Sequence, residues 1–320
     1  MRPNRLFVVV PCYNEEEVLP ETSKRLAEKM ASLIKSGKIA ENSRVAFVND
    51  GSKDRTWEII QELKKQNPVF TGINLSRNRG HQNALLGGLM TVMDDADISI
   101  SMDADLQDDI NAIDEMIDKY HAGCDIVYGV RSKRKTDTFF KRFTAESFYR
   151  LMDKMGAKTV FNHADYRLMS KRALQGLAEF KEVNLFLRGI VPMVGYPSDV
   201  VYYERAERFA GESKYPLKKM IAFSIEGITS LSTTPIKIIT KLGIFVFLVS
   251  IVMLIYSVIR LCLGHTVSGW TSIITSIWAI GGLLMISVGV VGAYVGKIYL
   301  EAKGRPRFII EKYLEEDEKK

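Results

Sequence analysis

Two aspartates one residue apart, Asp103 and Asp105, close an apolar run from Ile98 to Met102 that reads as a β-strand. Leu106, Gln107, Asp108 and Asp109 follow, with no basic residue among the carboxylates. Carboxylates bunched at a strand end repel one another. A positive partner is expected, and a hard divalent cation with oxygen ligands fits best. Mg²⁺ keeps waters and takes one or two protein carboxylates beside substrate phosphates. Asp-x-Asp therefore suits Mg²⁺ or Mn²⁺ that also holds a nucleotide diphosphate, although the same pattern alone also fits a solvated acidic turn.

Further polar clusters follow other apolar runs. Asn49-Asp50-Gly51-Ser52-Lys53-Asp54 offers a carboxylate to a base or ribose, and Gly51 lets the backbone turn close to a ligand. An ordinary strand-to-helix turn reads the same way. Leu75 to Asn83 carries Arg77 and Arg79, set to face a phosphate or simply solvent. Arg131, Lys133, Arg134, Lys135, Lys141 and Arg142 give six cations in twelve residues, interrupted by Phe139-Phe140. Such a patch suits a lipid phosphate, or anionic headgroups without specificity.

The elements that must position these clusters alternate. Strands are expected at Leu6–Val10, Val45–Val48, Phe70–Leu75, Ile98–Met102 and Asp125–Val130. Helices are expected from Glu15 through Leu33, at Trp57–Lys65 with Asp54 as cap, at Asn83–Met93 and at Ile110–His121. The fold class is α/β, a largely parallel sheet with helices on both faces. Ligands bind such sheets beyond the carboxyl ends of the strands, where the clusters after strands one, two and four fall.

The chain has 320 residues and a formal net charge of +6. That charge fits nucleic acid, an anionic membrane or phosphorylated substrates. Cys12, Cys124 and Cys262 show neither metal spacing nor a disulfide framework. The apolar run near the N-terminus is too short for a signal peptide. Leu242–Ile259 and Trp270–Gly296 lack charge and approach or exceed the ~20 residues of a membrane span. Lys218, Lys219, Lys237 and Lys241 precede the first, and Lys297, Lys303, Arg305 and Arg307 follow the second. The positive-inside rule puts both flanks in the cytoplasm and the short link, Gly264 to Gly269, outside. A multi-pass protein of the cytoplasmic membrane is expected, with its chemistry on the cytoplasmic side. Basic clusters that adjoin membrane segments argue against nucleic acid. Leu217 to Thr234 is read as an interfacial stretch. Gly289, Gly292, Ala293 and Gly296 put small residues on one face of the second span, suited to a hairpin contact or to a homo-oligomer contact. The expected domains are 1–212 (catalytic), 213–241 (juxtamembrane), 242–296 (transmembrane hairpin) and 297–320 (charged cytoplasmic tail, a second possible oligomer contact).

The segments VVVPCYNEE, VNDGSKDRT, LSRNRGHQNAL, SMDADLQDD, DIVYGVRSKR, NHADYRLMSKRAL, NLFLRGI and ERFAGESKYPLKKM, with the paired spans, resemble family 2 glycosyltransferases of the GT-A fold. Within them the chain is similar to the polyprenyl-phosphate sugar transferases, which include undecaprenyl-phosphate glucosyltransferases and dolichyl-phosphate mannose synthase. The resemblance implies that Pro11, Tyr13, Glu15, Asp50 and Asp103 line the donor pocket. It implies that Asp105 holds the metal with help from Gln107. Arg131, then Lys133-Arg134-Lys135 and Arg142, would meet the acceptor phosphate. Asp165 is the implied catalytic carboxylate. Arg188, with Arg208 and Lys214 of the RFAGESKY loop, would close over the diphosphate.

The reaction so implied moves a hexose, with inversion, from a nucleotide diphosphate sugar to undecaprenyl phosphate. UDP is the favoured nucleotide, and glucose or N-acetylglucosamine the favoured sugar. A lipid phosphate with its second pKa near ~6 is largely ionised at neutral pH, so Asp165 could abstract a proton or instead position the phosphate's cationic partners. A processive polysaccharide synthase and a catalytically silent subunit of a translocation complex are the rival readings. NLFLRGI in place of Gln-x-x-Arg-Trp opposes the first, and the intact aspartates oppose the second.

Overall fold

The structure, a computed structural model, describes residues 3–132, 163–204, 234–262 and 269–314. The chain opens β1 (Leu6–Cys12), α1 (Leu19–Lys35), β2 (Arg44–Asn49), α2 (Thr56–Gln66), β3 (Phe70–Leu75) and α3 (His81–Val92). It continues β4 (Ile98–Ser101), α4 (Ala112–His121), β5 (Ile126–Arg131), β6 (His163–Ser170), α5 (Lys171–Ala178), α6 (Leu187–Met193) and β7 (Ser198–Tyr203). Two long helices, α7 (Thr234–Cys262) and α8 (Trp270–Ala302), precede a last strand, β8 (Ile310–Tyr313).

All of β1 is buried. Strands covered on both faces read as unbroken apolar runs, and Leu6-Phe7-Val8-Val9-Val10 is such a run. Leu6, Val8 and Val10 pack in one core with Leu26, Met30 and Leu33 of α1. Phe7 and Val9 point the other way, into a second core with Leu85, Leu86 and Leu89 of α3.

The eight strands run in the order β7-β5-β6-β4-β1-β2-β3-β8. β1 pairs in parallel with β2 and β4, β2 with β3, and β5 with β7. The expected parallel sheet is present, but β6 enters antiparallel between β4 and β5. Because it runs backwards, its first residues lie at the carboxyl edge of its neighbours, and this brings Asp165 to the edge where the other clusters sit. β8, in the stretch expected as a charged tail, pairs antiparallel with β3, Ile73 opposite Tyr313.

Glu15-Glu16-Glu17 form a turn before α1 rather than its first turn; the amides of Val18 and Leu19 both bond to Glu15 O. Arg55, not Asp54, occupies the cap position of α2. Asp54 still accepts from the Thr56 amide (3.1 Å) and, through its other oxygen, from the Glu16 amide (3.2 Å), so it fastens the two loops together.

α7 and α8 are helices over the two stretches expected as spans, and α8 continues to Ala302. Among the described residues one stretch, Ile280–Ala302, is long and apolar enough to cross a membrane, where two were expected. Apolar side chains face outward on both helices, among them Phe245, Leu248 and Ile255 on α7 and Leu284, Met285 and Val288 on α8.

Candidate active site

The carboxyl ends of β1, β2 and β4 and the start of β6 meet at one edge. Ser101 of β4 lies opposite Arg167 of β6. Its hydroxyl donates to Asp165 O at 2.5 Å, so the strand ends carrying Asp103 and Asp165 leave the sheet side by side.

Asp165 is almost fully buried, with both oxygens occupied. Arg167 Nη2 donates to Oδ1 at 2.6 Å and Arg188 Nη2 to Oδ2 at 3.2 Å. Burial pushes the Asp165 carboxyl up, but Arg188, Arg167 and His81 outweigh it and hold the group well below the usual carboxylate range. Arg167 and Asp165 sit two apart on one strand and so share a face. The Arg167 side chain is 1% exposed, and among the described residues its Nε and Nη1 find no acceptor.

His81, the first residue of α3, stands between the two aspartates. Its Nε2 lies 3.4 Å from Asp103 Oδ1 and 3.8 Å from Asp165 Oδ2. Burial raises the Asp103 carboxyl; the His81 charge opposes this, and the carboxylates of Asp108, Asp165 and Asp105 add to it. The net result is a pKa of about 6. Among the described residues no three His, Cys, Asp or Glu side chains close around a metal ion. The carboxylates present fit a cation that takes one or two protein ligands and completes its shell from substrate and water.

The Asp-x-Asp loop is braced from behind. Gln107 N donates to Asp105 Oδ1 (3.2 Å), and Leu106, buried, adopts φ 58°. Tyr166 OH donates to Asp109 O (2.9 Å), and Tyr203 OH donates to Asp108 Oδ1. Arg131 Nη2 lies 3.6 Å from the same Asp108 oxygen, and Arg131 Nε donates to Tyr203 Oη at 3.3 Å. Arg131, expected at the acceptor phosphate, here touches the buried side of the Asp-x-Asp loop.

Asp50, expected to bind a base or ribose, is 2% exposed. Its Oδ1 accepts from the Arg79 amide (2.7 Å) and Oδ2 from the Gly80 amide (2.9 Å). Those bonds fold the loop that delivers His81. Gly51 has φ +63°, and a Cβ there would stand 2.5 Å from Asn78 N. The close approach anticipated at Gly51 is made by this neighbouring loop. Pro11 pairs with Val48 at the sheet edge, Tyr13 is exposed, and the Glu15 amide donates to Thr56 Oγ1 (2.9 Å). Arg77 is exposed and Arg79 half-buried. Lys133, Arg134, Lys135, Arg142, Arg208 and Lys214 lie outside the described residues.

His81, Arg167, Asp108 and Tyr203 were not singled out from the sequence. His81 lies inside the LSRNRGHQNAL stretch, two residues after Arg79. Arg167 could have been found from its i, i+2 spacing to Asp165 on a strand.

Residues 7–177 match the family model described as Glycosyl transferase family 2. The chain belongs to this family. As a family 2 glycosyltransferase it is 54% identical over 306 residues to an uncharacterized glycosyltransferase of Bacillus subtilis strain 168, YkoT, across 96% of this chain and 91% of that one. It is 41% identical over 310 residues to the SfII prophage-derived bactoprenol glucosyl transferase of Shigella flexneri, across 96% of this chain and 98% of the relative. Among solved structures, glucosyl-3-phosphoglycerate synthase from Mycobacterium tuberculosis, in complex with Mn²⁺, UDP-glucose and phosphoglyceric acid, is 15% identical. Its TM-score is 0.45, over 71% of this chain and 78% of that one.

Proposed function

We propose that this glycosyltransferase moves glucose from UDP-glucose to a polyprenyl phosphate at the cytoplasmic face of a membrane, inverting the anomeric carbon. The observation that carries the acceptor is the 41% identity, over nearly the full length of both chains, to a bactoprenol glucosyl transferase. Asp105, with Gln107 beside it, would hold a divalent cation such as Mg²⁺ or Mn²⁺. When bound, that cation supplies charge to stabilise the departing diphosphate. Pro11, Tyr13, Glu15, Asp50 and Asp103 face or shape the donor side of the site.

A phosphate oxygen of the lipid attacks C1 of the sugar. The bond from C1 to the diphosphate oxygen breaks, and UDP leaves with the electron pair. A lipid phosphate with second pKa near ~6 is already ionised at neutral pH, so no strong base is required. Asp165 suits a different task. Locked between Arg167 and Arg188, it stays charged and orients Arg188 toward the negative charge that gathers on the leaving group. Arg208, Lys214 and Arg142 belong to this reading as further partners of the diphosphate and the lipid phosphate.

The membrane reading is a two-pass hairpin of α7 and α8 with both flanks cytoplasmic, supported by the outward apolar faces of both helices and the lysines and arginines around them. The catalytic reading is tested with membranes from cells expressing the chain, incubated with radiolabelled UDP-glucose, Mg²⁺ and undecaprenyl phosphate. A labelled, acid-labile, organic-extractable product that requires the added lipid is expected. No such product with UDP-glucose, but one with another nucleotide sugar, would replace the donor. None with any donor would overturn the reading.

A further inference from the structure

Glu301 occupies an unexpected place. It lies in the last turn of α8, where a negative charge opposes the helix dipole. Its carboxylate does not face solvent alone. Oε2 accepts from the Val183 amide at 2.8 Å, and Oε1 accepts from the Asn184 amide at 2.8 Å and from Asn184 Nδ2 at 2.6 Å. One side chain at the end of a membrane-type helix thus grips two successive backbone amides of the catalytic domain. Arg307, six residues later, donates to Phe180 O at 2.9 Å.

The gripped segment leads straight into the site. From the other side, Gln82 Oε1 accepts from the Leu187 amide at 2.8 Å, and Gln82 follows His81 on α3. Residues 180–187 are therefore held at three points, one from the last turn of α8 and one from the chain just after it. The next residue is Arg188, which reaches Asp165 at 3.2 Å. Charge-assisted bonds to backbone amides are short and directional, so they fix the height of this segment better than apolar packing does.

We infer that Glu301 is a positioning residue that sets Arg188 at a fixed height relative to the membrane helix, and so relative to a lipid-borne acceptor phosphate. This rests on the membrane glycosyltransferase reading above and adds to it a mechanical link between α8 and the active site. Glu301 touches no substrate; it acts through the 183–188 segment.

The test uses the full-length protein in membranes or nanodiscs, with Glu301→Ala and Glu301→Gln made alone and in an Arg188→Lys background. Displacements of about 1 Å at a reacting centre cost up to about 100-fold in rate, so Glu301→Ala is expected to lower kcat by about 10- to 100-fold. The Kd for UDP-glucose should change less than kcat, by no more than about fivefold, because the charge that Arg188 faces gathers on the diphosphate in the transition state; Glu301→Gln, which keeps one acceptor oxygen, should fall between. In the Arg188→Lys background Glu301→Ala should change the residual rate by less than about threefold, the signature of two residues acting through one step. An equal loss in both backgrounds, or an unchanged kcat, would overturn the inference. Hydrogen exchange separates this inference from the reading it rests on. Peptides covering 183–188 should exchange faster in Glu301→Ala whether or not the wild type transfers sugar, and unchanged exchange would sink the link by itself. An inactive wild type would instead overturn the glycosyltransferase reading.

Discussion

Arg167 and Asp165, two residues apart on β6, form a buried ion pair at 2.6 Å in which the arginine is 1% exposed and the aspartate 10%. Such a pair stabilises little in net terms, but removing one partner strands the other charge in the interior at a cost of about 3–5 kcal/mol. Asp165→Asn should therefore lower stability at pH 7 by about that amount. The pH dependence follows from the depressed carboxyl. A group whose folded pKa lies below its unfolded value stabilises the fold above the unfolded pKa, near ~4, and loses that contribution as pH falls further. The gap between wild type and Asp165→Asn should narrow below about pH 4 and stay constant from pH 6 to 8. Denaturant melts across that range check it. A gap that instead widens on acidification would contradict the pairing.

The same depression constrains kinetics. If Asp165 were a general base, the acid limb of the rate profile would follow its ionisation. Its two arginines keep it charged throughout the working range, so that limb should track the acceptor phosphate, near ~6. Replacing the lipid phosphate with a phosphonate of different second pKa should move the limb by the difference. An acid limb that ignores the acceptor would contradict this and assign the limb to a protein carboxylate, which Asp103→Asn would then move if Asp103 is the group and leave in place if Asp165 is.

Much of this was legible in the residues. β1 to β5 follow from apolar runs ended by polar clusters, because a strand covered on both faces must be apolar throughout. β6 was not legible as an antiparallel insert: HADYRLMS alternates imperfectly, and its position between β4 and β5 depends on pairing partners distant in the chain. β8 was hidden for a related reason. EKY, within Ile310–Tyr313, is charged because it forms an edge, and edge strands carry charge as readily as loops do. Asp50 was visible as a site residue, but its bonds to the Arg79 and Gly80 amides depend on a loop nearly thirty residues away. Sequence spacing carries no signal for such a contact.

Metal dependence is the next expectation. Asp103, Asp105 and Asp108 crowd on the one loop that follows β4, and Asp103 feels the charge of both neighbours and of Asp165. Chelation with EDTA should abolish transfer, and Mg²⁺ or Mn²⁺ should restore it. Asp105→Ala should lose at least about 100-fold in kcat/KM, on the scale of removing one strong electrostatic contact in a transition state. Intrinsic fluorescence melts should show the protein still folded. Full activity of Asp105→Ala in metal-free buffer would dismiss the metal assignment.

His81 separates Asp103 from Asp165 at 3.4 and 3.8 Å. Removing it leaves two carboxylates facing each other without the imidazole between them. His81→Ala should lower kcat by about 5- to 30-fold, the scale of one to two kcal/mol for a lost polar contact. His81→Gln, which keeps a donor at similar reach, should recover part of the loss. Steady-state rates at saturating donor and acceptor measure both, and an unaffected His81→Ala would show the residue to be a bystander.

Arg131 offers the sharpest choice between two roles. As an acceptor-phosphate ligand, its loss should raise the KM for the lipid and leave the donor unchanged. Yet its guanidinium lies 3.6 Å from Asp108, whose side chain is 0% exposed, and its Nε donates to Tyr203 Oη at 3.3 Å. Asp108 sits three residues beyond Asp105, on the same loop. Without Arg131 the Asp108 charge is left in the interior with Tyr203 as its hydrogen-bond donor, and the loop that presents Asp105 should shift. Arg131→Ala is therefore expected to weaken donor binding measured with metal present and to lower stability by about 1–3 kcal/mol, the cost of an unsatisfied buried polar group. Lysine should restore the charge but only part of the geometry, since an ammonium cannot bond Asp108 and Tyr203 through a rigid fork. Asp108→Asn in the Arg131→Ala background should recover most of the lost stability, because the stranded charge is gone. Calorimetric titration of UDP-glucose, thermal melts of the double mutant and acceptor kinetics together decide it. A raised acceptor KM with unaltered donor affinity, and no rescue by Asp108→Asn, would place Arg131 at the lipid phosphate and end its role as a brace for the metal loop.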